Sequence, residues 1–412
     1  MDTVKSFVFD KKLINKATRR CRKNTLIADY YMDLSEKYTG CDWTCDEDGV
    51  VNHRVDPYSF KEHGERVDNC YRYWNVDYYK QQNIKDIKRI SLCGDKFCNN
   101  CQNLLSKRRY QKYKPFLDLI AQSKYLYHIV FTVPNVSDVQ FKQTFNRMYE
   151  KFSYMIKYFT GLKKIKGIDF PSGYVGAVRS VEITTQTIKK ETFYHPHFHC
   201  IFVFDKPLPD KGKNKNSFSF DKYGRRVTRT FTDFEILLQK VWYLLYNDER
   251  CILSNINELK EGYSVTIDDL KKHPKGYKEV FKYAIGGLYK KSGEPLKDFT
   301  LAVFEKLYFA LYNRKIIQGY GILNKFKFDN DDSLLQDEID MQYLDLQLLL
   351  MTIEKPVNYN DTLYNINLET SDPNNPTIYI SRKTVKFTLE ELASKGFVLE
   401  PSDRYVKDTK KE

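Results

Sequence analysis

"YHPHFHCIFVF", residues Tyr194 to Phe204, places three of the chain's seven histidines on alternate positions and then runs into apolar residues. The run reads as a buried strand. Alternate residues of a strand point to one face, so His197 and His199 project together, about 7 Å apart along the chain. Side chains of that reach can converge on one ion. A neighbouring strand, "YVGAVRSVEITTQT" (Tyr174 to Thr187), offers Glu182 as a third ligand. One carboxylate beside two imidazoles leaves coordination positions open and suits Mg²⁺ or Mn²⁺. A lone histidine would more simply fill a polar rim of the sheet. Two at this spacing, beside an acidic strand, favour a metal. His195 shares their parity, but Pro196 and the strand start turn it away, towards DNA or the back of a ligand.

The neighbouring segments supply the rest of a domain. "KYLYHIVFTVPNV" (Lys124 to Val136) is rich in β-branched and aromatic residues and leaves through Pro134-Asn135, as a central strand would. Ser137 then opens a helix, with Gln140 at capping-box spacing. Phe141, Phe145, Met148, Phe152, Met155 and Phe159 follow along one face, and Gly161 stops it. That stripe belongs to a core. After the histidine strand come a basic loop at "KPLPDKGKNKNSF", an apolar helix at "DFEILLQKVWYLLYND" and a further helix starting at "YKEVFKYAIGGLYKK". The order predicts an α+β fold, an antiparallel sheet covered by helices.

Upstream, residues 1 to about 60 read as charged and irregular, and Cys41 and Cys45 have no second pair nearby. Cys93, Cys98 and Cys101 form C-x4-C-x2-C, with Cys70 further upstream. Four thiolates with a tight turn between them suit tetrahedral Zn²⁺, with His63 an alternative to Cys70 as the fourth ligand. The following "SKRRYQKYK" includes Arg108 and Arg109 and could lie along a phosphate backbone.

Charge divides the chain. From Asp329 onward there are 9 Lys/Arg against 17 Asp/Glu, which leaves 58 against 37 between Met1 and Phe328. A basic body favours a polyanionic partner. The expected organisation is an N-terminal region with the cysteine-rich zinc segment (1–112), a catalytic domain (113–328) and an acidic C-terminal extension (329–412). No apolar run approaches the roughly 18 residues of a membrane span, and the N-terminal stretch lacks signal-peptide features. The expectation is a cytoplasmic protein without membrane contact.

A metal that polarises a phosphoryl oxygen needs a nucleophile beside it. In "EVFKY", Glu279 and Tyr283 stand at i and i+4 on one helix face. Tyr283 can attack a phosphodiester and retain it as a phosphotyrosine, with Glu279 as general base.

Taken in order over roughly residues 65 to 328, these pieces resemble the replication-initiator (Rep) proteins of rolling-circle plasmids, in the HUH endonuclease superfamily. "VFTVPN", "HPHFHC" and "EVFKY" look like the family's three motifs, and the cysteine cluster and "RKIIQGYGILNK" are similar to further family features. The resemblance implies the HUH fold, with His197, His199 and Glu182 holding the metal. It implies that Tyr283 nicks one strand of the plasmid origin, keeps the 5′ end and leaves a 3′-OH primer. Glu279 would activate water for the terminating cleavage. Origin DNA, a host helicase and a DNA polymerase would be the partners. Where the family often carries a lysine three residues after the tyrosine, this chain has Gly286, so either Lys282 or Lys290 supplies the charge or the role is absent. Asn99 replaces the usual proline between Cys98 and Cys101. The other readings are an HUH relaxase or transposase of another mobile element, and a non-catalytic zinc-dependent DNA-binding regulator.

Overall fold

The computed structural model describes, with side chains, residues 24–41, 56–70, 92–188, 191–209, 230–282 and 299–324. It describes the backbone alone of 11–23, 43–45, 51–54, 73–79, 84–90, 215–220, 226–229, 325 and 382–388. These residues fall into two compact units that part at Leu105/Ser106, with 382–388 belonging to the first.

The first unit begins with α1 (Lys11–Lys37), a strand pair β1 (Trp43–Cys45) and β2 (Val51–Arg54), and α2 (Pro57–Asp68). Strands β3 (Tyr73–Tyr79) and β4 (Ile84–Ile90) follow, then the start of α3 (Asn99–Ala121). The N-terminal segment is therefore not irregular. Asn24, Ile27, Ala28, Tyr31 and Leu34 recur at helical spacing and are all buried, a stripe that the many surrounding charges obscure. Gly64 lets α2 approach it, since a side chain there would stand 3.2 Å from the Ala28 carbonyl and the Tyr31 Cβ.

The second unit continues with β5 (Tyr125–Thr132), β6 (Val136–Ser137), α4 (Asp138–Phe159), β7 (Tyr174–Ile188) and β8 (Glu191–Phe204). A hairpin follows, β9 (Lys215–Phe220) with β10 (Arg226–Phe231), then α5 (Asp233–Tyr246), α6 (Leu253–Glu258), β11 (Val265–Asp269) and α7 (Gly276–Val280). It ends with α8 (Leu301–Leu311), β12 (Ile317–Gly321) and one 3-10 turn. In the first unit, β13 (Arg382–Thr388), from the C-terminal extension, pairs with β3. The stretch expected as loop after Lys206 thus contains a paired strand. Its polar composition hides the period-2 alternation of "NSFSF" and "RVTRTF".

The main sheet has the order β11-β5-β8-β7-β12, every neighbouring pair antiparallel, with β6 beside β8. The α+β expectation holds, and the histidine strand is the middle one. One face of the sheet carries Phe131, Phe198 and Phe202 against the Phe152 ring of α4, and Phe131 also meets Trp242 of α5. All six apolar residues expected on α4 are buried, and Gly161 follows the helix with φ +75°. Ser137 stands at its N-cap without a side-chain bond, so the capping box is absent there. The box occurs instead on α5, between Thr232 and Glu235.

The other face is apolar at one end only. Leu126, Val178, Ile201 and Val203 pack beneath Tyr113 and Leu117 of α3 and Tyr277, Val280 and Phe281 at α7. Beyond Ile201 the same row becomes His199, His197 and His195. No helix among the described residues is long and apolar enough to cross a membrane.

Candidate metal centres

Register places the carboxylate. Across the β7–β8 pair Glu182 is opposite His197 and Ser180 opposite His199, while β5 sets Thr132 and Val130 on the other side. Directly opposed residues share a face, so Glu182 enters the histidine row from its flank. Its Oε2 lies 2.8 Å from His199 Nε2 and 3.3 Å from His197 Nε2. The three donor atoms all fall within 4.8 Å of one another, a set that could hold a metal ion. Burial pushes the Glu182 carboxyl up, but the hydrogen bonds from His197 and His199 outweigh it and hold it well below the usual carboxylate range. It is therefore an anion ready to ligate. Two nitrogens and one oxygen from adjacent strands would hold an ion with a partial set of ligands, the remainder coming from water or substrate.

His195 sits edge-on to His197, 5.0 Å between ring centroids, outside the converging group. Burial and the neighbouring His197 pull its pKa down to about 4, so the ring is neutral near pH 7.

Nothing local in the sequence singles out His128, yet it completes the arrangement. From β5 its Nε2 lies 3.1 Å from His199 Nδ1, and the two rings stack 5.3 Å apart at 5°. Only the strand order brings these residues together, 71 positions apart. No local motif could have announced the pair.

Glu279 lies on α7, which packs on β7 and β8. It forms an ion pair with Lys282 and belongs to neither group of converging ligands. Tyr283 and Lys290 lie outside the described residues. Arg108 and Arg109 are buried, at 7% and 4% exposure, so neither presents its guanidinium to a phosphate backbone as the basic run suggested.

The second group lies in the first unit. Sγ–Sγ distances are 3.4 Å for Cys98–Cys70, 3.6 Å for Cys70–Cys101 and 3.7 Å for Cys93–Cys101. A tetrahedron of thiolates around zinc has edges of about 3.8 Å, given a Zn–S bond near 2.3 Å. Cys70 is thus the fourth thiol. His63, the alternative, instead lies with Nδ1 2.8 Å from Asp95 Oδ2.

The thiols already have donors aimed at them. The Gly94 N–H reaches Cys101 Sγ at 3.4 Å, and Asn24 Nδ2 reaches Cys98 Sγ at 3.2 Å. Hydrogen bonds from Cys70 and Cys93 draw the Cys101 thiol far down, while burial pushes Cys98 up. Gly94 turns the loop at φ +69°, a conformation that favours glycine. Asp95 then braces it, accepting from Phe97 N–H at 2.7 Å and Tyr31 Oη–H at 3.0 Å. Asp95 belongs to the Gly-Asp turn the sequence already suggested, whereas Asn24 and Tyr31 carried no signal as partners of the cluster, because each acts through contacts distant along the chain. Among the described residues Cys41 is exposed and joins no such group.

Searches of family models, curated proteins and solved structures found no match to this chain.

Proposed function

We propose that this chain is the replication initiator of a rolling-circle plasmid, an HUH-type nickase that cuts one strand of origin DNA through Tyr283. The observation that carries this reading is the meeting of His197, His199 and Glu182 on the middle strands of an antiparallel sheet. A divalent cation bound there, Mg²⁺ or Mn²⁺, supplies positive charge at a phosphoryl oxygen. The imidazoles and the ionised carboxylate hold that charge beyond the apolar end of the sheet face, with 11–17% of their side-chain surface exposed.

Tyr283 follows α7 in the chain, and Tyr277 and Val280 of α7, with Phe281 at its C-cap, pack on the apolar end of the same face. In the reaction its phenolic oxygen attacks phosphorus and its proton passes to solvent. The bond from phosphorus to the 3′ oxygen breaks, and that oxygen takes up a proton to become the 3′-OH primer. The 5′ end stays on Tyr283 as a phosphodiester, which preserves the bond for later transfer. Glu279 then takes a proton from water at the terminating cleavage. Lys282 beside it keeps the carboxylate oriented. The excess of 58 Lys/Arg over 37 Asp/Glu between Met1 and Phe328 draws DNA in. The four cysteines hold Zn²⁺ in a structural role.

Covalent capture tests this. Wild type and Tyr283→Phe are incubated with Mn²⁺ and single-stranded fragments tiled across the DNA around the chain's own gene, then run on denaturing gels. An adduct present in wild type and absent from Tyr283→Phe is expected. No adduct on any fragment would overturn the nickase reading in favour of the DNA-binding regulator. Adducts formed only on the ends of a mobile element would favour the transposase.

A further inference from the structure

We infer that His128 is a positioning residue, one that presets the His199 ring to offer Nε2 to a cation. The inference rests on the metal-dependent reading above and adds to it a residue outside the ligand set.

His199 is held at both ring nitrogens, by Glu182 at 2.8 Å and by His128 at 3.1 Å. An imidazole ligates through a bare nitrogen, so its ring hydrogen must then sit on the other one. With a cation at Nε2, His199 Nδ1–H donates to His128 Nε2, which has to present a lone pair. Without the cation, His199 Nε2–H donates to Glu182, and Nδ1 accepts from His128 Nε2–H. Each ring keeps one hydrogen through the exchange, so no net proton is gained or lost. A partner that can act both as donor and as acceptor is needed, and histidine is one.

His128 is also fixed in place. It is 7% exposed and lies parallel to the ring it holds. The first residue of α7 rests on it: a methyl group at Gly276 would stand 2.7 Å from His128 Cβ and 2.9 Å from its Cγ. Such distances leave no room for any residue but glycine, so α7 lies against the ring that orients His199. Glu279 is three residues further on and Tyr283 seven.

The test measures Mn²⁺ affinity by titration calorimetry on full-length protein carrying its zinc, with thermal unfolding as a check on folding. His128→Phe keeps a ring in the stack but cannot hydrogen-bond, whereas His128→Gln can both donate and accept. We expect His128→Phe to bind Mn²⁺ about 10- to 100-fold more weakly than wild type, the usual cost of losing such a partner. His128→Gln should recover most of that loss, and the His128→Phe adduct yield should recover as Mn²⁺ is raised. Wild-type affinity in His128→Phe would overturn the inference and reduce His128 to packing, while leaving the nickase reading to the adduct assay. Equal weakness in Gln and Phe variants would also overturn it. If wild type binds Mn²⁺ but forms no adduct, the nickase reading fails and the inference still stands on the affinities. Should His128→Phe lose its thermal transition, His128→Leu takes its place with the same two outcomes.

Discussion

The thiols of Cys70, Cys98 and Cys101 are fully buried, with Cys93 at their edge, whereas the side chains of Glu182, His197 and His199 keep 17%, 14% and 11% of their surface exposed. The cysteine group has four soft donors at tetrahedral spacing and nothing left to add. The histidine group has three mixed donors from adjacent strands, fewer than a closed tetrahedral site takes. Around the cysteines, Asn24, Tyr31, Asp95 and Gln102 tie loop to helices. Around the histidines, one buried ring, His128, braces a ligand from behind. Enclosure and ligand count, more than residue type, separate a group suited to holding a fold from one suited to working on a substrate.

The largest effect should come from opening the closed group. Cys98→Ser or Cys101→Ser should take zinc content from about one per chain to none. The first unit should lose roughly 10 kcal/mol of folding free energy with it, the scale of a structural zinc site. Elemental analysis and hydrogen exchange should show the first unit unprotected and the main sheet still protected. Equal loss of protection in both units would break the comparison.

Next come His197→Ala and His199→Ala. Each should lower covalent-adduct yield by about 100-fold or more, on the order of 3 kcal/mol. Zinc content and origin binding should hardly change. Unaltered nicking in either variant would sink the metal assignment.

A smaller effect is expected from Asp95→Ala, which removes the acceptor for Phe97 N–H and Tyr31 Oη–H. Denaturant unfolding of the first unit should show a loss of about 1–3 kcal/mol. Adduct yield should stay at the wild-type level.

The least effect concerns the roof of the apolar end. Burial first, then Asp118 and Asp269, push the Tyr277 hydroxyl up to about 12. The unfolded chain gives up that proton first, near the ordinary tyrosine value of 10.0, so the folded state gains stability as pH rises from 10 towards 12 only if the hydroxyl ionises more readily when folded. Here the reverse holds, and the folded state loses stability over that range. Tyr277→Phe should lack this component, and the gap between it and wild type should change by roughly 1 kcal/mol between about pH 9 and 11. A pH-independent gap would mean that the hydroxyl is solvated in the folded state.

Much of this was legible in the sequence because its signals are local. The H-x-H parity gives a shared face from strand geometry alone, and the α4 stripe from Phe141 to Phe159 gives a core helix. The C-x4-C-x2-C spacing gives a thiol cluster. Register was harder. Glu182 faces His197 because the pairing runs out to Ile188 opposite Glu191, leaving only Lys189 and Lys190 between the strands. Two lysines carry none of the Asn-Gly signal that marks a tight hairpin turn. His128 was illegible for a different reason: one histidine in a strand acquires meaning only when β5 lies beside β8. The helix α1 was not read from the sequence, because the charges around Ile27, Tyr31 and Leu34 hide their apolar stripe.

The most direct test is anomalous diffraction from crystals grown with Mn²⁺, with data at the zinc and manganese edges. The account predicts a zinc peak among the Sγ atoms of Cys70, Cys93, Cys98 and Cys101. It predicts a separate manganese peak bonded to His197 Nε2, His199 Nε2 and Glu182, with His199 Nδ1 still on His128. No peak at the histidines, or a manganese ion ligated by His128 itself, would contradict it.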